Sequence, residues 1–186
     1  GDTYIDVAGS SFRAFFDGRN NSLPGERPTL SDWANHLSTI FPEVRLKRYL
    51  EMRGADGVPW GRLPALPAFW VGLLYDDESL NAAWDLVSHW TAQERQALRD
   101  DVPRFGFKAR IRERYLFEIA RECVKLSHSG LRRRSRIDHL GRDESRFLEP
   151  LERILESGRT PAEEMLEKFN GPWGGSVEPV YQEYAF

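Results

Sequence analysis

With 186 residues, 40% hydrophobic and 30% charged, the chain can build one ordinary domain with a sizeable core and is too apolar to stay disordered. Its formal net charge of -3 excludes a surface made to coat nucleic acid, and its single cysteine, Cys123, excludes an internal disulfide and a multi-cysteine metal site. An unpaired thiol suits a reducing compartment, and the cytoplasm is the expected location.

No apolar run reaches the roughly 18–20 residues of a membrane helix. The nearest approach, Ala65 to Tyr75, contains Pro67 and runs into Asp76, Asp77 and Glu78. No signal-peptide pattern is visible either. The chain opens on Gly1-Asp2-Thr3 without methionine, and a strand-like stretch, Tyr4 to Val7, follows at once. A polypeptide entered in mid-domain is expected.

Residues 1–62 are rich in turn formers, among them Gly18, Asn20, Asn21, Pro24, Gly25, Pro28, Gly54, Gly57 and Pro59. Within them Pro42 and Gly54 bound a strand-length run. Strand side chains alternate between faces, so Val44, Leu46, Arg48, Leu50 and Met52 share one face, and Arg45, Lys47, Tyr49, Glu51 and Arg53 the other.

From residue 63 onward the pattern is helical. Pro67 suits a first helical turn, and Phe69, Trp70, Leu73 and Leu74 form one stripe. A second helix is predicted on Leu80, Ala83, Trp84, Leu86, Val87 and Trp90. Thr91-Ala92-Gln93-Glu94 has the capping-box spacing, in which threonine and glutamate satisfy each other's orphan backbone donors. A long helix is predicted from about Lys108 to Ser129, with Ile111, Tyr115, Ile119 and Leu126 on one side and Gly130 placed to end it. Phe147, Leu148, Leu151, Ile154 and Leu155 follow helical spacing up to Gly158. Thr160-Pro161-Ala162-Glu163 then unites an N-cap, a first-turn proline and the box glutamate ahead of Met165, Leu166 and Phe169. No internal repeat is evident.

The polar face of the Pro42–Gly54 run is the informative feature. A row of three cations, one phenol and one carboxylate is either a solvated edge strand or a binding surface. Glu51 offers hard oxygens suited to magnesium. Arg53 can grip a carboxylate or phosphoryl oxygen with two parallel hydrogen bonds, and Arg45 and Lys47 can hold a polyphosphate. The Gly54-Ala55-Asp56-Gly57 turn lets backbone pass close to a ligand.

These residues carry a resemblance. Leu23 to Thr29, Asp32-Trp33, Asn35-His36-Leu37 and Ile40 to Asp56 are similar to plant and proteobacterial glutamate–cysteine ligases. So are Leu66 to Asp77, Ser157 to Glu163 and Gly171 to Val177. The resemblance implies an α+β fold in which a glutamine synthetase-like antiparallel sheet fragment, residues about 1–62, packs with a predominantly α-helical C-terminal layer, residues 63–186. The whole, 1–186, is then the C-terminal part of one catalytic domain. The implied reaction is the first step of glutathione biosynthesis. ATP phosphorylates the side-chain carboxylate of glutamate, and the cysteine amine attacks the acyl phosphate. Implied cofactors are Mg2+ and ATP, the latter as substrate. Implied partners are glutamate, cysteine, ATP and the N-terminal remainder of the same enzyme, with no nucleic acid and no membrane.

Glutamine synthetase-like enzymes carry an Arg-x-Glu-x-Arg strand, matched here by Tyr49, Glu51 and Arg53. Glu51 is thereby implied as metal ligand, Arg53 as the catalytic and substrate-gripping arginine, and Arg45, Lys47 and Tyr49 as nucleotide-binding residues. Tyr49 replaces the first arginine, so Lys47 or Arg45 takes over its phosphate contact. The remaining metal carboxylates fall upstream of Gly1, and the fragment alone is expected to be inactive. Two rivals stay open: a related carboxylate–amine ligase with another amine acceptor, and a helical interaction module that has lost catalysis.

Elsewhere, bland expectations prevail. His36 is a capping or core residue or a substrate contact, and Trp33 packs. Trp60, Trp70, Trp84 and Trp90 are expected in the core, and Cys123 as a buried thiol. The arginines Arg132, Arg133, Arg134 and Arg136 lack interleaved aromatics and are expected in a solvated inter-helix loop.

Overall fold

A computed structural model describes residues 3–185. Gly1 and Asp2, where the mid-domain entry was expected, and Phe186 lie outside them. The chain divides into two compact units between Asp56 and Gly57. Helices dominate, and the sheets are two small antiparallel pairs, an α+β composition.

The first unit holds helices α1, Phe12–Phe16, and α2, Leu30–Ser38, and strands β1, Val44–Leu46, and β2, Leu50–Met52. α2 begins at a capping box: Asp32 N–H donates to Thr29 Oγ1 at 3.2 Å, and Thr29 N–H donates to the Asp32 carboxylate at 2.7 Å. Phe12 stacks on His36 at 4.2 Å and meets Trp33 at 5.3 Å, so both ring-bearing residues of α2 pack, as a structural role requires. The expected strand at Tyr4–Val7 does not form. Those residues are exposed coil, because a strand needs a neighbour's ladder and none is offered. The antiparallel sheet anticipated across residues 1–62 is confined to the β1–β2 pair.

The second unit is built on α3, Ala65–Leu74, α4, Asp77–Val87, and α5, Ala92–Phe105, followed by the short strands β3, Arg110–Ile111, and β4, Arg114–Tyr115. Then come α6, Leu116–Arg134, α7, Glu149–Ser157, α8, Pro161–Asn170, and α9, Val180–Glu183. The boxes at Thr91/Glu94 and Thr160/Glu163 start α5 and α8 as predicted, and Gly158 ends α7 at φ 66°. Two apolar clusters form the interior. Ala68, Leu131 and Leu148 gather Phe69, Val71, Phe147 and Leu151; Leu86, Ile111 and Ile119 gather Val87, Trp90, Leu98 and Cys123.

α6 departs from expectation at both ends. Residues 110–115 form a hairpin ahead of it, turning at Arg112 with φ 53°, and Gly130 lies within the helix rather than after it. The reason is the crossing of α3 and α6. A Cβ on Gly130 would stand 2.0 Å from the Gly72 carbonyl oxygen, and one on Gly72 would stand 2.2 Å from the Ser127 carbonyl oxygen. Two glycines let the backbones touch. Buried serines tie α6 to its neighbours, Ser127 Oγ donating to Phe69 C=O of α3 and Ser79 Oγ of α4 donating to Leu126 C=O, both at 2.9 Å.

Of the arginine cluster only Arg136 lies in exposed coil after α6, as the solvated-loop expectation had it; the other three are helical. Arg132–Arg134 form the last turn of α6, where cations complement the helix dipole. Arg133 clamps the Asp76 carboxylate at 2.7–3.1 Å and donates to Ser79 Oγ at 2.9 Å. That arginine, and the Ser79 N–H behind it, hold the Asp76 carboxyl well below the usual carboxylate range. Two of the four tryptophans assigned to the core are on the surface instead: Trp60 is 73% and Trp84 65% exposed. On α4 it is Leu86 that faces inward, which turns Trp84 away.

Candidate functional site

The run from Glu43 to Arg53 is two strands rather than one. Arg53 N–H donates to Glu43 C=O at 2.8 Å and Lys47 N–H to Tyr49 C=O at 2.9 Å, so the chain reverses at Arg48. The pairs are Val44↔Met52, Arg45↔Glu51 and Leu46↔Leu50. Reversal lets the segment satisfy its own backbone groups, which a single strand would leave to a neighbour. Three residues separate the strands, and an odd number preserves the alternation. The predicted polar row therefore survives, folded back upon itself.

That folding makes Glu51 a centre. Arg45 Nη1 lies 3.8 Å from one of its carboxylate oxygens, and Lys47 Nζ at 3.9 Å and Arg53 Nη1 at 3.6 Å lie near the other. These are ion-pair distances rather than direct hydrogen bonds. Glu51 Oε2 and Arg45 Nε are both shielded from solvent and lack hydrogen-bond partners. Arg45 also lies over the Phe41 ring, 4.7 Å from its centroid, an aromatic contact between residues four apart that no local pattern announces. Tyr49 stands at the turn, 62% exposed. The expected turn at Gly54–Gly57 does not form and the segment runs as coil; a Cβ added to Gly54 would come no nearer than 3.9 Å to the Glu43 side chain, and one added to Gly57 would meet nothing within 4 Å.

Three cations around one carboxylate leave a positive surplus, a chemistry that suits an anion with several oxygens. Among the described residues no group of three or more His, Cys, Asp or Glu could hold a metal. Magnesium, however, commonly takes only one or two carboxylates and completes its shell with phosphates and water. The unsatisfied Glu51 Oε2 fits one ligand of such a complex.

Other concavities offer less. A groove of about 640 Å³ in the second unit has its arginines committed, Arg112 to Glu94 at 2.6 Å and Arg114 to Glu122 at 2.7 Å. Arg112 and the Thr91 N–H draw the Glu94 carboxyl down to about 2. Burial pushes the Cys123 thiol up to about 11, as befits an inert packing residue.

A family model described as glutamate-cysteine ligase family 2 (GCS2) matches residues 4–183, nearly the whole chain and the entire hairpin. The chain belongs to this family. Among relatives of the family, the chloroplastic glutamate–cysteine ligases of Nicotiana tabacum and Arabidopsis thaliana are each 54% identical over 183 residues, which is 98% of this chain and 34% of theirs. Glutamate–cysteine ligase A of Oryza sativa subsp. indica, also chloroplastic, is 54% identical and covered over 36% of its length. The chain thus spans about a third of the length of the curated relatives it matches. Their chloroplastic location overturns the cytoplasmic expectation. A lone thiol reports a reducing compartment and does not distinguish one such compartment from another.

Proposed function

We propose that this chain is the portion of a glutamate–cysteine ligase that grips the polyphosphate of ATP and assists phosphoryl transfer to glutamate. The carrying observation is the Glu51 carboxylate set among Arg45, Lys47 and Arg53 within 3.9 Å. Glutamate, cysteine and ATP are the substrates, and the plastid is the compartment, in line with the relatives' names.

A carboxylate is a poor electrophile because its charge repels nucleophiles. Phosphorylation of the glutamate side chain converts one oxygen into part of a leaving group, and the cysteine amine then displaces phosphate. Transfers of this kind depend chiefly on positioning and charge neutralisation. Arg45 and Lys47 neutralise the non-transferred phosphates, and Tyr49 at the turn can donate its hydroxyl to the nucleotide. Arg53, on the strand end next to Glu51, stabilises charge gathering on the transferred group. A magnesium ion held partly by Glu51 supplies charge neutralisation across the phosphates when bound. Among the described residues Glu51 is the carboxylate that the three cations surround, and further ligands would come from the remainder of the enzyme, with which this chain forms one glutamine synthetase-like catalytic domain. The chain alone is then inactive.

The decisive experiment is Arg53→Ala in the full-length protein. Turnover should fall about a hundredfold, on the order of 3 kcal/mol of transition-state stabilisation. The melting temperature should hardly move, since the Arg53 side chain is 52% exposed. Normal turnover removes Arg53 from the chemistry. Loss of turnover only when cysteine is replaced by another amine would instead locate the effect in acceptor choice.

A further inference from the structure

Arg45 differs from the other two cations of the cluster. Its side chain is 23% exposed, against 50% for Lys47 and 52% for Arg53. It is held on two sides, by the Glu51 carboxylate opposite and by the Phe41 ring beneath its guanidinium at 4.7 Å. Its Nε, shielded and without an acceptor, keeps one arm of the guanidinium fork in reserve. Phe41 itself is 65% exposed, so its ring contributes little to any core of this unit. The following residue, Pro42, restricts Phe41 to extended backbone and so fixes where the ring starts from.

We propose that Phe41 is a positioning residue: its ring face orients the Arg45 guanidinium so that the fork meets a polyphosphate in one defined geometry. The proposal rests on the reading of the hairpin as a phosphate site. A flexible arginine loses side-chain freedom when it grips a ligand, and a ring that already immobilises it removes part of that cost. The guanidinium's attraction to the ring face adds to this, and an aliphatic side chain of similar size cannot supply it. Aromatic character, rather than bulk, is therefore what the position requires.

The test is a set of variants of the full-length protein, read by calorimetric titration with ATP and by thermal unfolding. Phe41→Leu should raise the ATP Kd about fivefold, a factor of the size expected for a partly exposed cation–π contact. Phe41→Trp should restore it to within about twofold, because indole is the better cation partner. All should melt with the parent, since the ring is exposed. Arg45→Ala should raise Kd at least about tenfold, as expected for loss of a charge-assisted contact. Phe41→Leu added to Arg45→Ala should then change nothing further. If Phe41→Leu binds like the parent, is not restored by tryptophan, or weakens binding equally without Arg45, the positioning role is overturned while the phosphate reading stands. If Arg45→Ala binds ATP normally, the phosphate reading fails and this proposal with it.

Discussion

Replacing Gly130 with alanine should destabilise the helical unit, although alanine is the better helix former. In an exposed helix the change would be worth roughly 0.8–1 kcal/mol in favour of alanine. Here the new Cβ would stand 2.0 Å from the Gly72 carbonyl oxygen and 2.8 Å from Ser79 Oγ. Ordinary contact demands well over 3 Å, so α3 and α6 must part by at least about 1 Å. Overpacking of this kind costs about 1–3 kcal/mol. Parting α3 from α6 also stretches the Ser127–Phe69 hydrogen bond, and the Cβ pressing on Ser79 Oγ disturbs that α4 residue's bond to Leu126, each worth about 1 kcal/mol. After subtracting the propensity gain, the net loss is about 3 kcal/mol, or a fall of about 6–12 °C in Tm for a chain of this size. Urea and thermal unfolding measure it, with Asn81→Ala on the exposed side of α4 as a control that should stabilise by a few tenths of a kcal/mol. A midpoint for Gly130→Ala equal to or above the parent's would refute the claim that backbone proximity governs this position.

Two further outcomes concern titration. Glu94 is drawn down from 4.5 to about 2, first by the Arg112 hydrogen bond and then by the Thr91 N–H. A depressed carboxyl contributes stability that is complete above pH 4.5 and is lost as pH falls toward 2. Glu94→Gln should therefore lower the urea midpoint at pH 7 and narrow the gap between pH 7 and pH 3, and an unchanged gap would contradict the pairing. Cys123 is raised from 9.0 to about 11, mainly by burial. Its thiolate population at pH 8 should be about a hundredfold below that of a free thiol, and alkylation correspondingly slow until the chain is unfolded. The folded state loses this thiol contribution as pH climbs from 9 toward 11. Cys123 is half-buried rather than fully enclosed, and rapid labelling of the native chain at pH 8 would count against its packing beside Ile119 and Leu86.

Much of the helical unit can be read from local signals. The capping boxes at Thr91 and Thr160, and the stop at Gly158, each involve groups within one helical turn, and all three stand where the residues place them. Alternation of polar and apolar residues from Val44 to Arg53 is equally local, and it survives in the hairpin. What the run could not disclose is the reversal at Arg48, because a three-residue turn leaves the parity of the pattern untouched. The cluster around Glu51 was thus legible as a set of residues sharing a face, but not as a ring around one carboxylate. Phe41 gave no signal beyond standing four residues before an arginine.

The amino-acid sequence alone determined where α5 and α8 begin, where α7 ends and which side chains form the charged row, since backbone capping and side-chain alternation depend on neighbours a few residues away. Only the tertiary structure decided that Gly130 lies inside a helix, that Arg133 reaches back 57 residues to Asp76, and that Trp84 faces out while Leu86 faces in. Those outcomes depend on which surfaces meet after the chain has folded back. A glycine that stops a helix and one that admits a second backbone read identically until the partner arrives.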